Sequence, residues 1–495
     1  MSEDATYFPE PKTFIPAGTL LDTLPRRATG VVAAFSSFRI RPERVGSWDM
    51  DKFPHPAYLF QNTGNGETRT HFQGIQRLAN RPLMVVSGGD KKNKVSHLFL
   101  VECRPRSAWG PLGSNLWTNP KKPPNHDRLR RVIGLDRDRW HAGGTSVLGD
   151  VIAVPLEGMA PSQIVFLDLS TPTAPRWAAA STTITCATAG TGAVALTRTP
   201  SGHFLCAAWR DERQNPPEPA GQLDFFISKN PVPAAAPRTP FEPEWQPLGT
   251  WVYARPSHPD MPEKPHYQGI SFAWERDTSA LFLLATRNTN PFAPNTPGED
   301  MVDLFQVTPP AGMALTGTGA PLPASTVPTP VYVNSRRLKG ADEFCSFAAG
   351  GGAFVSDSGA LVLYGAFHFR GDGLFRMSEY WGDSSAGATW WIDLFERSDF
   401  EGHRLSILDP AEARVPEYRE RFAQGDKFDV SVVSARFLLP AGTTYRLFRQ
   451  PGCPANAPAA EVLDLAGTGQ VVEIPRLEAV QPTFGKVVRS SSIAL

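Results

Sequence analysis

Three histidines head the same short phrase in this chain: His71-Phe-Gln-Gly74, His141-Ala-Gly-Gly144 and His266-Tyr-Gln-Gly269. Imidazole is the side chain whose charge changes near neutral pH, so it serves as general acid, general base or neutral metal ligand. If the three copies meet around one axis, three readings are open. Each imidazole could bond the backbone of the next repeat and act as a latch. Together they could hold a single divalent metal such as zinc or iron, with positions left for water or substrate. Or they could line a metal-free pocket, where one histidine moves a proton and its neighbours orient a small organic molecule. Other polar residues lie close to the phrase or to its equivalent positions. Arg210 with Asp211, Glu343 with Asp342, and Ser346 are candidate substrate contacts.

Positioning such residues requires a repeated element. Each phrase opens an apolar run that passes through a turn into a second apolar run, as Arg81–Ser87 follows the first copy. The downstream hairpins align: Asp277-Thr-Ser-Ala-Leu281 matches Asp357-Ser-Gly-Ala-Leu361 and Pro200-Ser-Gly-His-Phe204. That alignment adds two weaker copies of the phrase, Ala189-Gly-Thr-Gly192 and Ser346-Phe-Ala-Ala349. Repeats at intervals of roughly 50–80 residues, each of which buries its faces only against neighbours, indicate a closed array. The expected fold is all-β, a five-bladed β-propeller in which the phrase starts the channel-lining strand of each blade. Its glycine would let backbones approach where the channel is narrowest.

Expected strands include Ser96–Val101 in blade one, Asp150–Leu156 and Gln163–Leu169 in blade two, and Ala193–Thr197, Phe204–Trp209 and Asp224–Ser228 in blade three. Ile270–Trp274, Ala280–Thr286 and Val302–Val307 fall in blade four, and Ala353–Ser356, Ala360–His368 and Leu374–Trp381 in blade five. The run Val31–Ile40, or Ala57–Gln61, is the expected terminal strand that closes the ring. Long proline-rich insertions, such as Pro105–Asp127 and Pro309–Pro330, elaborate one rim,. Trp140, Trp209, Trp274 and Trp381 could form a stacking surface for sugars, although half or more suit blade packing better.

Near residue 385 the pattern changes. In Trp390–Ser406, Phe395 is followed by six residues, Gly402 and then Ser406. A second segment begins at Tyr445-Arg-Leu-Phe448, with Cys453 and Ala455 where an aromatic and a glycine would stand. This stretch resembles a βγ-crystallin Greek-key domain, which implies a sandwich over 386–495 after a propeller over 1–385. Many members of that family bind calcium through an acidic motif in each key. Asp429–Ser434 keeps only its first acid and final serine, and Gly485–Ser490 only the serine, too few oxygen ligands for calcium. A capping or docking module is the expectation.

Lys plus Arg and Asp plus Glu number 49 each, so no overall field draws nucleic acid or a charged membrane,. No apolar run approaches a membrane span, and Met1–Pro25 lacks the apolar core of a signal peptide, so a cytoplasmic location is expected. The five cysteines are scattered without paired spacing and read as reduced thiols,. No phosphate loop, nucleophile elbow or HExxH motif occurs. Two functions remain: an enzyme acting on a small organic molecule in the channel mouth, or a non-catalytic lectin-like or scaffold propeller with a crystallin-type docking domain.

Overall fold

The computed structural model describes residues 11–38, 44–49, 70–78, 83–90, 94–102, 128–159, 161–186, 190–211, 221–257, 261–289, 300–308, 327–338, 347, 350–356, 359–366, 374–382, 391–395, 398, 404–407, 432–468, 471–481 and 490–494. Among these the architecture is all-β, with one six-residue α-helix and a few 3-10 turns. Alternating apolar runs punctuated by Gly, Pro, Asp and Ser give antiparallel hairpins, as expected.

Five successive sheets form the blades of a propeller. Blade one runs Thr70–Arg77, Leu83–Asp90, Val95–Glu102 and Arg128–Gly134, in that spatial order. In blade two the innermost strand is broken into His141–Ala142 and Ser146–Leu148, both paired to Val151–Glu157, with Gln163–Asp168 and Arg176–Trp177 outside. Blade three comprises Ala193–Arg198, Phe204–Arg210, Gln222–Ser228 and Trp245–Val252. Blade four comprises Tyr267–Glu275, Leu281–Asn288, Asp300–Thr308 and Thr329–Leu338. Blade five comprises Gly351–Val355, Leu361–Ala366 and Leu374–Trp381. Each innermost strand packs on that of the next blade, and blade five returns to blade one.

Both faces of a blade are apolar, so the core lies between blades rather than at the axis. Trp209 and Phe225 of blade three pack with Ile270, Trp274 and Leu283 of blade four. Ile152 and Val154 of blade two pack with Val85 and Leu98 of blade one. Trp209, Trp274 and Trp381 are all buried in this way, so they are packing residues and not a stacking surface.

The ring is closed by a different strand from the one expected. Arg44–Asp49 pairs antiparallel with Leu374–Trp381 and completes blade five from the N-terminus. Val31–Ser36 is an α-helix instead of a strand. The reason lies in its spacing: Val31, Ala34, Phe35 and Phe38 are each fully buried, which is the stripe of a helix and not the alternation of a strand,. The other candidate, Ala57–Gln61, lies outside the described residues.

After residue 390 two further antiparallel sheets share one core. In the first, Trp391–Phe395 lies between Arg404–Ile407 and Ser434–Leu438, and Val471–Ile474 joins the latter. In the second, Thr444–Phe448 lies between Val462–Ala466 and Ser490–Ala494. Ile392, Leu394, Phe437, Tyr445, Leu447 and Leu465 fill the space they enclose. No described helix is long and apolar enough to cross a membrane.

Candidate active site at the histidine mouth

The recurrent phrase marks a distortion of the innermost strand. Register shifts between Phe72 and Ile75 in blade one and between Tyr267 and Gly269 in blade four, and the strand breaks at Gly143-Gly144 in blade two. A bulge of this kind re-aims the backbone. Here it brings the phrase glycines together. A Cβ added to Gly74 would lie 3.0 Å from the Cα of Gly144, and one added to Gly144 would lie 3.1 Å from the Cα of Gly269. Gly269 and Gly351 are equally close, with a Cβ on the former 2.2 Å from the carbonyl oxygen of the latter. Strands from blades one, two, four and five therefore meet backbone to backbone, and Gly144 N–H donates to Gly192 O of blade three at 2.8 Å. The axis is plugged at this level.

Hydroxyls on the second strands tie the plug. Ser87 Oγ accepts from Gly74 N–H at 2.7 Å and donates to Gly143 O at 2.6 Å, joining blades one and two. Thr286 Oγ1 donates to Gly269 O at 3.2 Å and packs on Gly351. Ser87 thus ties blades one and two, and Thr286 supports the blade-four glycine beside Gly351 of blade five.

Each histidine precedes its glycine by three residues, so the three phrase heads stand at one end of the plug. Their imidazoles are described in two cases, since only the backbone of His71 falls among the described residues. His141 Nδ1 lies 3.8 Å from Glu157 Oε1, and both side chains are about one-fifth exposed. Glu157 ends the second strand of blade two and pairs directly with His141 in the sheet. His266 Nδ1 lies 3.3 Å from Asp211 Oδ2. Asp211 follows the second strand of blade three, and its Oδ1 accepts from the Trp209 indole N–H at 2.7 Å. Two imidazole–carboxylate contacts therefore stand beside the phrases of blades two and four, each acid coming from the end of a second strand.

Arg210 is engaged in the same rim. Its Nε meets Asp224 Oδ2 at 2.5 Å, and Thr250 Oγ1 donates to the other Asp224 oxygen at 2.6 Å. These contacts brace blade three at the end of its second strand. Ser346, Glu343, Asp342 and Ala189 lie outside the described residues. Among the described residues no three His, Cys, Asp or Glu side chains converge with the spacing that holds a metal ion. Cys186 and Cys206 are buried free thiols, and burial pushes both pKa values up.

Glu157 is the residue the sequence reading did not single out. The signal was available: a hairpin counted outward from the Gly149-Asp150 turn brings Glu157 opposite the first histidine-phrase residues of blade two.

Two buried groups give this protein opposing pH dependences. Burial holds the His141 imidazole down at about 4, so it stays neutral where the unfolded chain already binds a proton. Folding stability therefore falls as pH drops from about 6.5 through 4, by on the order of 3 kcal/mol in full. Asp300 accepts from Asn288 Nδ2 and Phe347 N–H at 2.8 and 2.7 Å, yet burial lifts its carboxyl to about 7. Its contribution is intact below the unfolded value near 4 and is lost as pH rises through 7. The two nearly cancel. Asp300→Asn is expected to expose a stability that rises between pH 4 and 6.5, and His141→Gln one that falls between pH 4 and 7. Urea midpoints across that range check this, and identical profiles in both variants would refute it.

No family model matches this sequence, and no curated protein matches it. Solved structures do resemble it. A thermostable family-43 glycoside hydrolase aligns with 65% of this chain and 91% of its own, at 10% identity and a TM-score of 0.34. The sucrose-6-phosphate hydrolase from Lactobacillus gasseri aligns with 89% of this chain and 91% of its own, at 9% identity and a TM-score of 0.35. A fructofuranosidase from Schwanniomyces occidentalis complexed with fructosylnystose covers 81% and 72%, at 10% identity and 0.35. At these scores the likenesses carry no functional information.

Proposed function

We propose that this protein is an enzyme that acts on a small organic molecule at the histidine mouth of the propeller, by proton transfer. The observation that carries the reading is the pair of imidazole–carboxylate contacts, His266 with Asp211 and His141 with Glu157, set on strands whose glycines touch at the axis. Neighbouring blades are also tied at this level by glycine backbone and Ser87, so blade contact does not rest on the imidazoles alone.

The roles divide by environment. A carboxylate within 4 Å of an imidazole stabilises the imidazolium that forms as a proton is transferred. His266 with Asp211 is the general acid/base in this reading, and Trp209 holds the aspartate in place. His141, kept neutral by burial, is a proton acceptor at any pH above about 4,. His71 is assigned the same acid/base role, and Ser346, Glu343 and Arg210 are the proposed substrate contacts. A divalent ion bound by His71, His141 and His266 is the variant form of the same site, and metal analysis of the purified protein beside His141→Ala tests it.

The rival reading is a lectin-like or scaffold propeller, favoured by the repetition of the phrase in several blades. Calorimetry separates the two: an enzyme holds one ligand on the axis, whereas a lectin binds several between blades.

The βγ-crystallin resemblance is supported by strand order after residue 390. In each sheet the first strand of a half lies between the second and the last, and Val471–Ile474 of the second half joins the first sheet. We read this as two Greek-key halves, the second of which lends a strand to the first sheet,. We assign this part, from about residue 386, to capping or docking and not to calcium binding, and we place the protein in the cytoplasm.

A further inference from the structure

Asp300 is a buried carboxyl that the proposed proton transfer does not use. It begins the third strand of blade four, at the same end as the histidine phrase, and is 6% exposed. Its Oδ1 accepts from Asn288 Nδ2–H at 2.8 Å and from Phe347 N–H at 2.7 Å. The two donors come from different blades. Asn288 closes the second strand of blade four, one residue past the Arg287–Tyr267 pair, and Glu157 holds the corresponding place opposite His141 in blade two. Phe347 leads into blade five, where its ring packs on Gly365 and lies 6.1 Å from the ring of Tyr380. Its N–H belongs to the peptide bond with Ser346, so this hydrogen bond ties blade four to the chain just after Glu343 and Ser346.

The charged groups of the surrounding elements are engaged elsewhere. On the opposite face of blade four, Asp303 meets Arg287 at 2.7 Å and accepts from the Tyr267 hydroxyl at 2.8 Å. On the outer strand Leu338 stands opposite Asp300, Arg336 donates through Nη2 to Phe38 O at 2.6 Å, and Arg337 is exposed. The helix Val31–Ser36 carries no acidic or basic side chain. In blade five, Tyr380 backs the Phe347 ring, and Glu379 accepts from the Trp381 indole N–H. Asp300 is held by two neutral donors away from water, and burial raises its carboxyl to about 7,. When the Phe347 segment lifts, water reaches the carboxyl and returns it to about 4. A group that is more acidic in the open form loosens the closed form as pH rises. The closed form is firmest below about pH 4. Opening gains roughly tenfold per pH unit from there to about 7 and then levels off.

We propose that Asp300 is a proton-controlled pin at the edge of the histidine mouth: protonated, it holds the Ser346–Phe347 peptide to blade four, and on losing its proton it lets that peptide go. Control of the mouth by this pin rests on the proposed role of Ser346 and Glu343 as substrate contacts. The pin itself rests on two hydrogen bonds to one buried oxygen.

The test is hydrogen exchange of the full chain from about pH 5 to 8, read by mass spectrometry at the Phe347 amide and divided by the intrinsic exchange rate at each pH. Protection in the wild type is expected to fall about a hundredfold between pH 5 and 7 and to level off above 7. Asp300→Asn keeps an acceptor oxygen and has no proton to lose, so its protection should hold across the range. Asp300→Ala should lose protection at every pH, a contrast that packing alone would not give. If the Asp300 variants do not fold, Asn288→Ala serves: it removes a donor that favours the ionised form and should move the fall to higher pH,. A flat profile in the wild type, a fall in Asp300→Asn equal to that of the wild type, or an unshifted fall in Asn288→Ala would each overturn the pin. So would loss of the fall in His266→Ala, because it would assign the titration to the imidazole. The proposed proton transfer stands or fails separately, on the kcat of His266→Ala, which exchange at Phe347 does not report.

Discussion

Replacing His266 by alanine is expected to lower kcat/KM by about 10²- to 10⁴-fold on the molecule the mouth accepts, the range a positioned general acid/base supplies. The loss should appear in kcat rather than KM, because the imidazole gains most as the proton moves. Asp211→Asn should act in the same direction by about tenfold or more. The amide removes the negative charge that lies 3.3 Å from His266 Nδ1 and faces the imidazolium formed as the proton moves,. Trp209→Phe removes the indole N–H that holds Asp211 at 2.7 Å and should produce a smaller form of the same defect. Above about pH 4 the acidic limb of the rate profile should owe nothing to His141, since that imidazole is already neutral. Steady-state kinetics on the four proteins across pH provide the check. Equal kcat in wild type and His266→Ala would remove the proton-transfer role.

Gly144→Ala is expected to be strongly destabilising. The new methyl carbon would lie 2.3 Å from the Gln268 carbonyl oxygen and 3.1 Å from both the Gly269 Cα and the Ala193 Cβ, none of which is the end of a flexible side chain. Overpacking of this kind costs roughly 1–3 kcal/mol, and here the upper end is expected because blades one, three and four all meet Gly144. Gly192→Ala is the matched control. It occupies the same place in its phrase, but its added Cβ would only touch Glu157 at 3.7 Å. Urea or thermal unfolding should show a large loss for Gly144→Ala and little change for Gly192→Ala. Equal effects would mean that the glycines serve local backbone freedom and not the convergence of blades.

The propeller was legible because its hairpins declare themselves. Runs such as Phe204–Arg210 and Leu281–Asn288 are apolar along their length, end in turn residues and recur with the same partners. The alignment that placed Gly192 beside Gly74, Gly144 and Gly269 read the axis from sequence alone. Closure was not legible. Arg44–Asp49 reads Arg-Val-Gly-Ser-Trp-Asp, without the apolar alternation of a strand, and joins blade five only because an edge there lacks a partner,. Val31–Ser36 failed for the opposite reason, since a short apolar run suits either element and tertiary burial decides. At the site, sequence named the histidines and Asp211 but not the pairing. That pairing depends on where second strands end, as at Glu157, which is set by hairpin register and not by residue type.

The most direct measurement is a crystal structure of the protein with a small molecule drawn from a thermal-shift screen of organic metabolites. The expected result is one molecule per chain on the propeller axis, in hydrogen-bond reach of His266 and His141 above the glycine plug. Ligands seated between blades, repeated around the ring or bound only on outer faces would contradict a reactive histidine mouth.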